Sequence, residues 1–562
     1  MAKRPFPLIQ TTPVPTGDAV WEAKRKAILE EFISKVPEEY YIPQHYVDNP
    51  PLDVRNIPRE CGILTPEELH ITEDYDAVGL AAAIAARKYT AVTVATAFCK
   101  RAIIADQVSC CLTQWFMDEA VERAKSLDDH LARTGKTVGP LHGVPVSIKE
   151  HMAIAGHTSS YGYVSTTQHM DADAQMIAIL RSLGAVFYVK TCQPQSIMHL
   201  ESDSHFGRVL LPHNINLSAG GSTGGEAALI ALRGSVLGVG TDIGGSVRGP
   251  AGFCGIYGYK PTCYTLPMEG FLPNGFAAEL NVLCSTGPMC TTLRDMDFFM
   301  HLILSAQPHL SDPLVFPTPW TGLKTPLPAT TATPLKIGIM TTDGVITPQP
   351  PVARALRWAT ARLSALPFVE LKSYTPYRAA DALALIRTMY WPDGGTAVKK
   401  ALEAAHEPMH PLTQHIIADA EAPHELTATQ ICAQRVARNA FRRAFAQDWT
   451  RQGVDVVLCP VFVGPACAHD TAFYWNYTAL WNFVDYPGAV FPTPVSVAEK
   501  GEEEGYAAGQ EALGKECSHV RQLWEQTDFV GAPVNLQLVA RKHHDNLLFG
   551  ALDAVKEALE LR

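Results

Sequence analysis

Glycine and serine are concentrated between Ser222 and Ser246, and this segment constrains the fold more than any other part of the chain. It carries a serine among glycines at each end, and the apolar stretch between them ends at Thr241 and Asp242. Glycine around a hydroxyl allows sharp turns and close approach of the backbone, whose N–H groups can then donate to a bound group. The segment therefore predicts a nucleophilic serine beside a site for an oxyanion.

The composition limits the class of protein. The chain has 562 residues, of which 47% are apolar and 18% are charged, enough to bury a large core. Its formal net charge is −11, whereas nucleic acids and anionic membranes are bound by basic surfaces. We therefore expect a small-molecule substrate and no nucleic-acid partner.

The cysteines and the N-terminus bear on the compartment. The thirteen cysteines are an odd number and include no CxxC, so free thiols in a reducing compartment are expected. The first residues lack the apolar core of a secretory signal. The longest apolar run, Val78–Ala86, is far shorter than the about 20 residues that span a membrane. These features predict a soluble cytoplasmic protein with no integral membrane span.

Helical and strand patterns alternate along the chain. The runs Trp21–Val36 and Ala91–Ala105 place apolar residues at helical spacing. The short β-branched segment Gly143–Ile148 predicts a buried strand that ends at Lys149, and Ala185–Val189 predicts another strand after a helix. Later strands are expected at Leu335–Met340, Val454–Cys459 and Asn535–Val539. Strands separated by helices favour an α/β layer fold.

We expect one domain behind a short irregular N-terminal segment. Residues 1–20 are rich in proline, and the single domain covers 21–562. A connection rich in proline and threonine, about 305–334, separates the serine region at about 140–290 from a mainly helical region at about 352–450. This connection could be a boundary between domains, but one continuous sheet is the favoured interpretation.

A short match suggests a different serine enzyme. Gly220–Gly224 fits G-x-S-x-G, the nucleophile elbow of α/β-hydrolases. That interpretation needs a later acid and a histidine base, yet the late histidines His543 and His544 are typical of a solvated turn, together with Asp545. It also gives the second serine loop, 242–248, no role. The elbow interpretation is therefore disfavoured.

Both serine loops have a role if Ser246 is the nucleophile. Gly244, Gly245 and Ser246 offer successive N–H groups with no bulky side chain, which is what an oxyanion hole requires. A serine hydroxyl needs a base within hydrogen-bonding distance, and no histidine is near in sequence. Lys149 ends an apolar strand, where burial would lower the pKa of a lysine and make it available as a base. Ser222 can then relay a proton between the two.

The serine segment, together with GPLHGVPVSIKE around Lys149, resembles the amidase signature family, whose hallmark is a Ser–cis-Ser–Lys triad. Ser222 and Ser246 are 24 positions apart, the spacing of the family's motif. The resemblance implies that Ser246 is the nucleophile, that Ser222 is the relay after a cis Gly221–Ser222 peptide, and that Lys149 is the base.

The resemblance also implies the surroundings of the triad. The oxyanion hole is expected from the backbone of Ile243, Gly244, Gly245 and Ser246. Structural support of the serine loops is expected from Gly221, Asp242 and Arg248. Related enzymes place the segment of Ile197 and Met198 in the substrate channel, and Thr223 stands where many members have a second serine. An aromatic set is expected either to line an acyl pocket or to pack in the core: Tyr390, Trp391, Trp475 and Trp481.

Segments outside the signature, among them MYWPDGG and GAPVNLQLVARK, resemble fungal acetamidases and enzymes like fatty-acid amide hydrolase. The implied fold is a three-layer α/β/α sandwich with a large, twisted, mixed central sheet. The implied reaction is hydrolysis of a carboxylic amide through an acyl-enzyme, with no metal or organic cofactor. An ester or carbamate as the physiological bond, and a subunit of an amidotransferase, are the alternatives. A homodimer is the family-based expectation.

Overall fold

The computed structural model describes residues 4–271, 277–420 and 422–562, and helices cover much of this part. The α-helices, numbered α1–α19 in chain order, are Ala19–Ser34, His45–Asp48, Ile57–Glu60, Pro66–Asp74, Ala77–Ala85, Ala91–Ser109, Met117–Thr134, Gln175–Ser182, Gly224–Ala231, Arg248–Cys254, Leu293–Ser305, Pro350–Ser364, Ala379–Met389, Thr396–Ala405, Pro411–Ile417, Ala428–Gln452, Asn476–Val484, Lys515–Gln526 and Asp545–Val555. Short 3₁₀ helices lie at Glu38–Tyr40, Val164–Thr166, Ala277–Leu280, Pro308–Leu310 and Gly322–Lys324.

The strands, numbered β1–β17 in chain order, are Leu112–Trp115, Pro145–Lys149, Thr158–Ser159, Gln168–His169, Val186–Thr191, Asp203–Ser204, Gly207–Arg208, Leu210–Leu211, Asn214–Ser218, Leu237–Asp242, Tyr257–Lys260, Ser285–Cys290, Leu335–Ile339, Val369–Ser373, Val456–Pro460, Gly488–Ser496 and Pro533–Ala540. An 11-stranded sheet runs in the order β1-β5-β2-β10-β12-β11-β16-β17-β15-β13-β14. Strand β2 is parallel to β5 and β10, and β13 is parallel to β14 and β15, whereas the pairs between these groups are antiparallel. The predicted α/β fold with a large mixed central sheet is confirmed.

Strand β2 carries Lys149 to its position. It covers Pro145–Lys149, so it begins two residues later than the predicted strand and includes the lysine as its last residue. All five residues are buried, as expected of a strand with parallel neighbours on both sides. The continuous apolar run that marked this segment in the sequence is the consequence of that burial.

Strands on the two sides of the Pro-rich connection join the same sheet, since β12 precedes the connection and β13 follows it. The region 352–450 is mainly helical, as predicted, but it also contains strand β14, Val369–Ser373, at the sheet edge. None of the five residues of β14 is fully buried. An exposed edge strand lacks the apolar run that identifies an interior strand, so the sequence pattern did not predict β14.

Both serines directly precede helices. Ser222 lies two residues before α9, and Ser246 lies two residues before α10. Strand β10 ends at Asp242, and the loop that carries Ser246 therefore connects the end of a central strand to a helix. Lys149 and Asp242 are the last residues of the adjacent parallel strands β2 and β10, so the candidate side chains gather at the C-terminal ends of these two strands.

The expectation of a solvated turn near the C-terminus is wrong for Asp545. His543 and His544 are exposed, but Asp545 is 3% exposed and begins α19. Its carboxylate accepts hydrogen bonds from Tyr259 Oη at 2.6 Å and from the Thr262 amide at 2.9 Å. These partners lie more than 280 residues earlier in the chain, so the local sequence gives no sign of them.

The apolar run near residue 80 forms α5, which is nine residues long. Within the described ranges, no helix is long and apolar enough to cross a membrane. All thirteen cysteines are free thiols in the structure.

Candidate active site

Lys149 is fully buried at the end of β2, and three hydroxyl groups surround its amine. Its Nζ lies 2.6 Å from Ser222 Oγ. The hydroxyl oxygens of Thr223 and Thr241 lie 3.0 Å and 3.2 Å from the same nitrogen. These partners are 73, 74 and 92 residues distant in sequence, so the fold brings the lysine to the first serine.

The charge state of Lys149 follows from its surroundings. Burial lowers the pKa of Lys149 from its usual 10.5 to about 7, because the protein interior solvates the ammonium less well than water does. The nearby Cys284, Asp242 and Glu226 raise this pKa, but by less than burial lowers it. A substantial fraction of the amine is therefore neutral near pH 7.

The two serine loops lie against each other. The Thr223 amide donates to the Ser246 carbonyl oxygen at 3.2 Å, which joins the loop before α9 to the loop before α10. Ser222 and Ser246 are 1% and 4% exposed, and both line one cavity. The Gly221–Ser222 peptide bond is cis. The structure thus brings Lys149, Ser222 and Ser246 to one place.

Two glycines of these loops have no room for a side chain. A Cβ on Gly221 would lie 2.4 Å from the carbonyl oxygen of His199. Gly245 has φ of +134°, and a Cβ there would lie 2.2 Å from Thr478 Oγ1. Glycine at these positions therefore serves close packing of backbone against neighbouring segments.

Asp242 and Arg248 form a fully buried ion pair at 3.0 Å that supports the second serine loop. The Asp242 carboxylate also accepts from the amides of Gly245 and Val247 and from Asn482 Nδ2. Burial alone would raise the pKa of Asp242, but the Arg248 charge and these hydrogen bonds hold it well below its usual range. The carboxylate stays ionised and ties the loop to α17.

The backbone amides of the second loop differ in their availability. The Gly245 amide already donates to Asp242 Oδ1 at 2.9 Å, so it can serve a ligand only as a shared hydrogen bond. The sequence suggested four amides for an oxyanion hole. The other three, of Ile243, Gly244 and Ser246, do not donate to the Asp242 carboxylate.

The cavity above the serines has a volume of about 690 Å³. Thr241, Ile243 and both serines form its base. Ile197 and Met198, which the sequence suggested as substrate contacts, are among its lining residues. Apolar side chains form much of the wall, including Ala153, Leu266, Phe271 and Leu283. This volume lies within the roughly 300–1,000 Å³ of typical small-molecule sites.

The aromatic set lies elsewhere. Among the described residues, those that line the cavity include none of Tyr390, Trp391, Trp475 and Trp481. Tyr390 and Trp475 stack at 5.6 Å and brace the serine loop from behind, where Tyr390 Oη donates to the Ile243 carbonyl oxygen at 2.9 Å. Trp481 is fully buried and packs in an aromatic cluster with Trp449, and Trp391 is 4% exposed. Core packing, the alternative interpretation, describes them better than an acyl pocket.

Thr223 is also not a wall residue, because it is fully buried and its hydroxyl contacts Lys149. Conversely, the sequence did not single out His151, Tyr161 or Cys284, which line the cavity. His151 lies two residues after Lys149, and this proximity is the one signal that could have found it. Tyr161 and Cys284 lie in two other loops.

The large mixed sheet, and a cavity lined by two serines of which one contacts a buried lysine, are consistent with an α/β enzyme of the hydrolase class. Comparison with known proteins agrees with this. A sequence model of the family described as Amidase matches residues 93–549. The chain belongs to the amidase, or amidase signature, family, and it is an enzyme that hydrolyses amides.

Individual relatives match over nearly their full lengths. A Schizosaccharomyces pombe protein named "Putative amidase C550.07" is 40% identical over 90% of this chain and 94% of its own. An acetamidase of Emericella nidulans is 32% identical over 93% of this chain and 95% of its own. A solved structure of fatty acid amide hydrolase superposes with a TM-score of 0.89 at 30% identity, covering 97% of each chain.

Proposed function

We propose that the enzyme cleaves a small-molecule carboxylic amide with Ser246 as nucleophile, Ser222 as proton relay and Lys149 as base. The observation that carries the proposal is the fully buried Lys149 amine, 2.6 Å from Ser222 Oγ. An uncharged amine at this distance can accept a proton from the hydroxyl. The contact between the two serine loops supports the continuation of the relay to Ser246.

In the first half of the reaction, the Ser246 oxygen attacks the amide carbonyl carbon as its proton passes to Ser222, whose own proton passes to neutral Lys149. The tetrahedral intermediate then collapses and the C–N bond breaks. The departing nitrogen takes a proton from Ser222, which takes one back from the Lys149 ammonium. This leaves an ester between Ser246 and the acyl group, with ammonia or an amine released.

In the second half, water replaces the amine. Lys149, again neutral, accepts a proton through Ser222 as the water oxygen attacks the ester carbonyl. Collapse of the second intermediate breaks the bond to Ser246 Oγ, which regains its proton, and the carboxylic acid leaves. The same groups thus act as base and then as acid in each half.

The developing oxyanion is proposed to lie on the amides of the second loop. Ile243, Gly244 and Ser246 supply the most available donors, with Gly245 as a shared one. Losing one oxyanion donor typically costs about 2.7–4 kcal/mol of transition-state stabilisation. The loop is held in place before substrate arrives, which is the condition for this stabilisation.

The test is to locate the acyl group. The purified chain is incubated with amides of graded chain length, quenched with acid and analysed by peptide mass spectrometry, while hydroxylamine in a parallel reaction releases the acyl group as a hydroxamate. We expect the adduct on Ser246, none in Ser246→Ala, and acylation slowed by about 10²–10⁴-fold in Lys149→Met. Circular dichroism checks that each variant is folded. An acyl group on any other residue would refute the proposed nucleophile.

Matched amide, ester and carbamate substrates identify the bond that the enzyme prefers. We expect the amide to be hydrolysed by the purified chain alone, since the relatives named above are amidases and an acetamidase. Release of ammonia without a partner protein excludes the role of an amidotransferase subunit. A preference for the ester or carbamate by more than the difference in intrinsic reactivity would favour those alternatives.

A further inference from the structure

His151 stands in a chain of hydrogen bonds whose direction can be assigned. Gln193 Nε2 donates to the Ser160 carbonyl oxygen at 2.9 Å. Because a carbonyl oxygen only accepts, the Gln193 amide has one orientation, and its Oε1 faces His151 Nδ1 at 2.8 Å. Oε1 also only accepts, so the hydrogen of this bond belongs to His151 Nδ1.

The tautomer of His151 follows. Burial and the charge of Lys149 lower the pKa of His151 to about 3, so the ring is neutral under ordinary conditions. With its one hydrogen on Nδ1, the ring presents Nε2 as an acceptor. This nitrogen lies 3.4 Å from Thr241 Oγ1. The single hydrogen of the Thr241 hydroxyl is therefore directed to His151.

The second threonine at Lys149 has its own acceptor. Thr223 Oγ1 lies 3.5 Å from the Thr241 carbonyl oxygen and donates to it. Both threonine oxygens lie within hydrogen-bonding distance of Lys149 Nζ, at 3.0 and 3.2 Å. Since their hydrogens are directed elsewhere, these two oxygens accept from Lys149 and do not donate to it.

A neutral amine has two N–H bonds and one lone pair. The two N–H bonds of Lys149 are satisfied by Thr223 and Thr241. The remaining partner, at the shortest distance of 2.6 Å, is Ser222 Oγ. The lone pair of Lys149 therefore accepts from Ser222, the one of the three hydroxyls whose hydrogen is not donated to another group.

We infer that the chain Gln193–His151–Thr241 sets the direction of hydrogen bonding at Lys149, so that Ser222 is the hydroxyl that donates to the base. His151 is then a positioning residue, which acts through Thr241 and not on the substrate. The inference rests on the proposed function, because it assigns the donor to the proposed base.

A double-mutant cycle tests the inference. His151→Phe removes the acceptor, and Thr241→Val removes the hydroxyl through which His151 acts. We expect each to lower kcat by about ten- to a hundredfold with little change in KM, the loss typical of small errors in catalytic geometry. In the double variant, kcat/KM should lie within about twofold of the more impaired single variant, because both remove one interaction.

Two further variants keep the test decisive. His151→Gln, whose side-chain oxygen can accept from Thr241, should retain more activity than His151→Phe. Gln193→Leu removes the acceptor of His151 Nδ1 and can replace His151→Phe in the double-mutant cycle. Its loss of kcat should likewise disappear in the Thr241→Val background. This route serves if His151→Phe has a markedly lower Tm or does not fold.

The kcat and KM of the double variant distinguish the inference from its alternatives. Losses that multiply in the double variant, or a rise in KM at unchanged kcat, would overturn the inference, because His151 would then act on its own or on substrate. Acylation of wild-type Ser246 is measured in parallel. Its absence would refute the proposed function, whereas its presence with multiplying losses would refute only the role of the chain.

Discussion

At the scale of single residues, the buried lysines of this chain differ in their partners. Lys190 Nζ donates to the Thr158 carbonyl oxygen at 2.6 Å and to Ser159 Oγ at 2.5 Å, and Lys260 Nζ lies 3.7 Å from an Asp485 carboxylate oxygen. Carbonyl and carboxylate oxygens accept only, so neither can give a proton to the amine beside it. The hydrogen-bond partners of Lys149 within the described chain are hydroxyls, which can also donate. This is the residue-level reason to assign Lys149 as the base.

The pH dependence of turnover tests this assignment. Only neutral Lys149 can accept a proton, so kcat/KM for an uncharged amide should rise with pH and level off above about 7. Glu226 would titrate in the same pH range, because burial raises its pKa to about 7 as well. A pH profile of wild type and Glu226→Gln separates the two.

The variant removes a negative charge that raises the pKa of Lys149, so its inflection should move to lower pH and persist. If the inflection vanished in Glu226→Gln, Glu226 would be the group that titrates. Activity that stayed level from about pH 8 to pH 5 would contradict a lysine base.

At the scale of elements, the second serine loop is held from two sides. Asp242, at the end of β10, accepts from amides on one side. On the other side, Tyr390 follows α13 and donates to the Ile243 carbonyl oxygen. In a trans peptide the next N–H points away from that carbonyl oxygen, so Tyr390 helps to orient the Gly244 amide.

Tyr390→Phe should therefore impair catalysis more than folding. The lost hydrogen bond leaves a buried carbonyl unsatisfied, which costs about 1–3 kcal/mol of stability. We expect kcat to fall by about tenfold with KM little changed, since a small displacement of a catalytic group has effects of this order. Urea unfolding and steady-state kinetics measure the two effects.

Tyr188→Phe is the matched control. Tyr188 is fully buried, and its Oη donates to the Gly234 carbonyl oxygen at 2.6 Å, away from the serine loop. It should lose a similar amount of stability and keep the wild-type kcat. Equal losses of kcat in the two variants would indicate a general effect of destabilisation, against a specific role of Tyr390.

At the scale of the whole molecule, the two halves of the chain meet at the site. Asn482, in α17, donates to Asp242 across 240 positions of sequence and accepts from Arg248 at 2.6 Å. The Pro-rich connection supplies wall residues of the cavity, including Leu314 and Val315. The cavity is therefore a product of the complete sheet and its covering segments.

Two substitutions distinguish packing from substrate contact. Trp481→Ala should lower the free energy of unfolding by about 3–5 kcal/mol, as removal of large core side chains does, and leave KM unchanged. Ile197→Ala, at a half-buried wall residue with φ of +62°, should change KM by up to about tenfold with little loss of stability. Thermal unfolding and KM for an amide that fills the cavity are the measurements. The reverse pattern would restore Trp481 as a substrate contact.

Much of the site could be predicted because its parts carry local signals. An apolar run ending in Lys149 and glycines around two serines are visible in short windows of sequence. Tyr390 and Trp475 could not be placed, because an aromatic side chain suits a core and a pocket equally well. His151 was missed since a single histidine has no pattern. The edge strand β14 was missed because its residues are partly exposed.

The sequence by itself determined the fold class, the family and the three candidate catalytic side chains, since each depends on local composition and spacing. Tertiary structure alone decided the walls of the cavity and the direction of the hydrogen bonds at Lys149. The contacts of that amine join residues 73 to 92 positions apart. Such contacts depend on how strands and loops pack, and so does the degree of burial that lowers the pKa of the lysine.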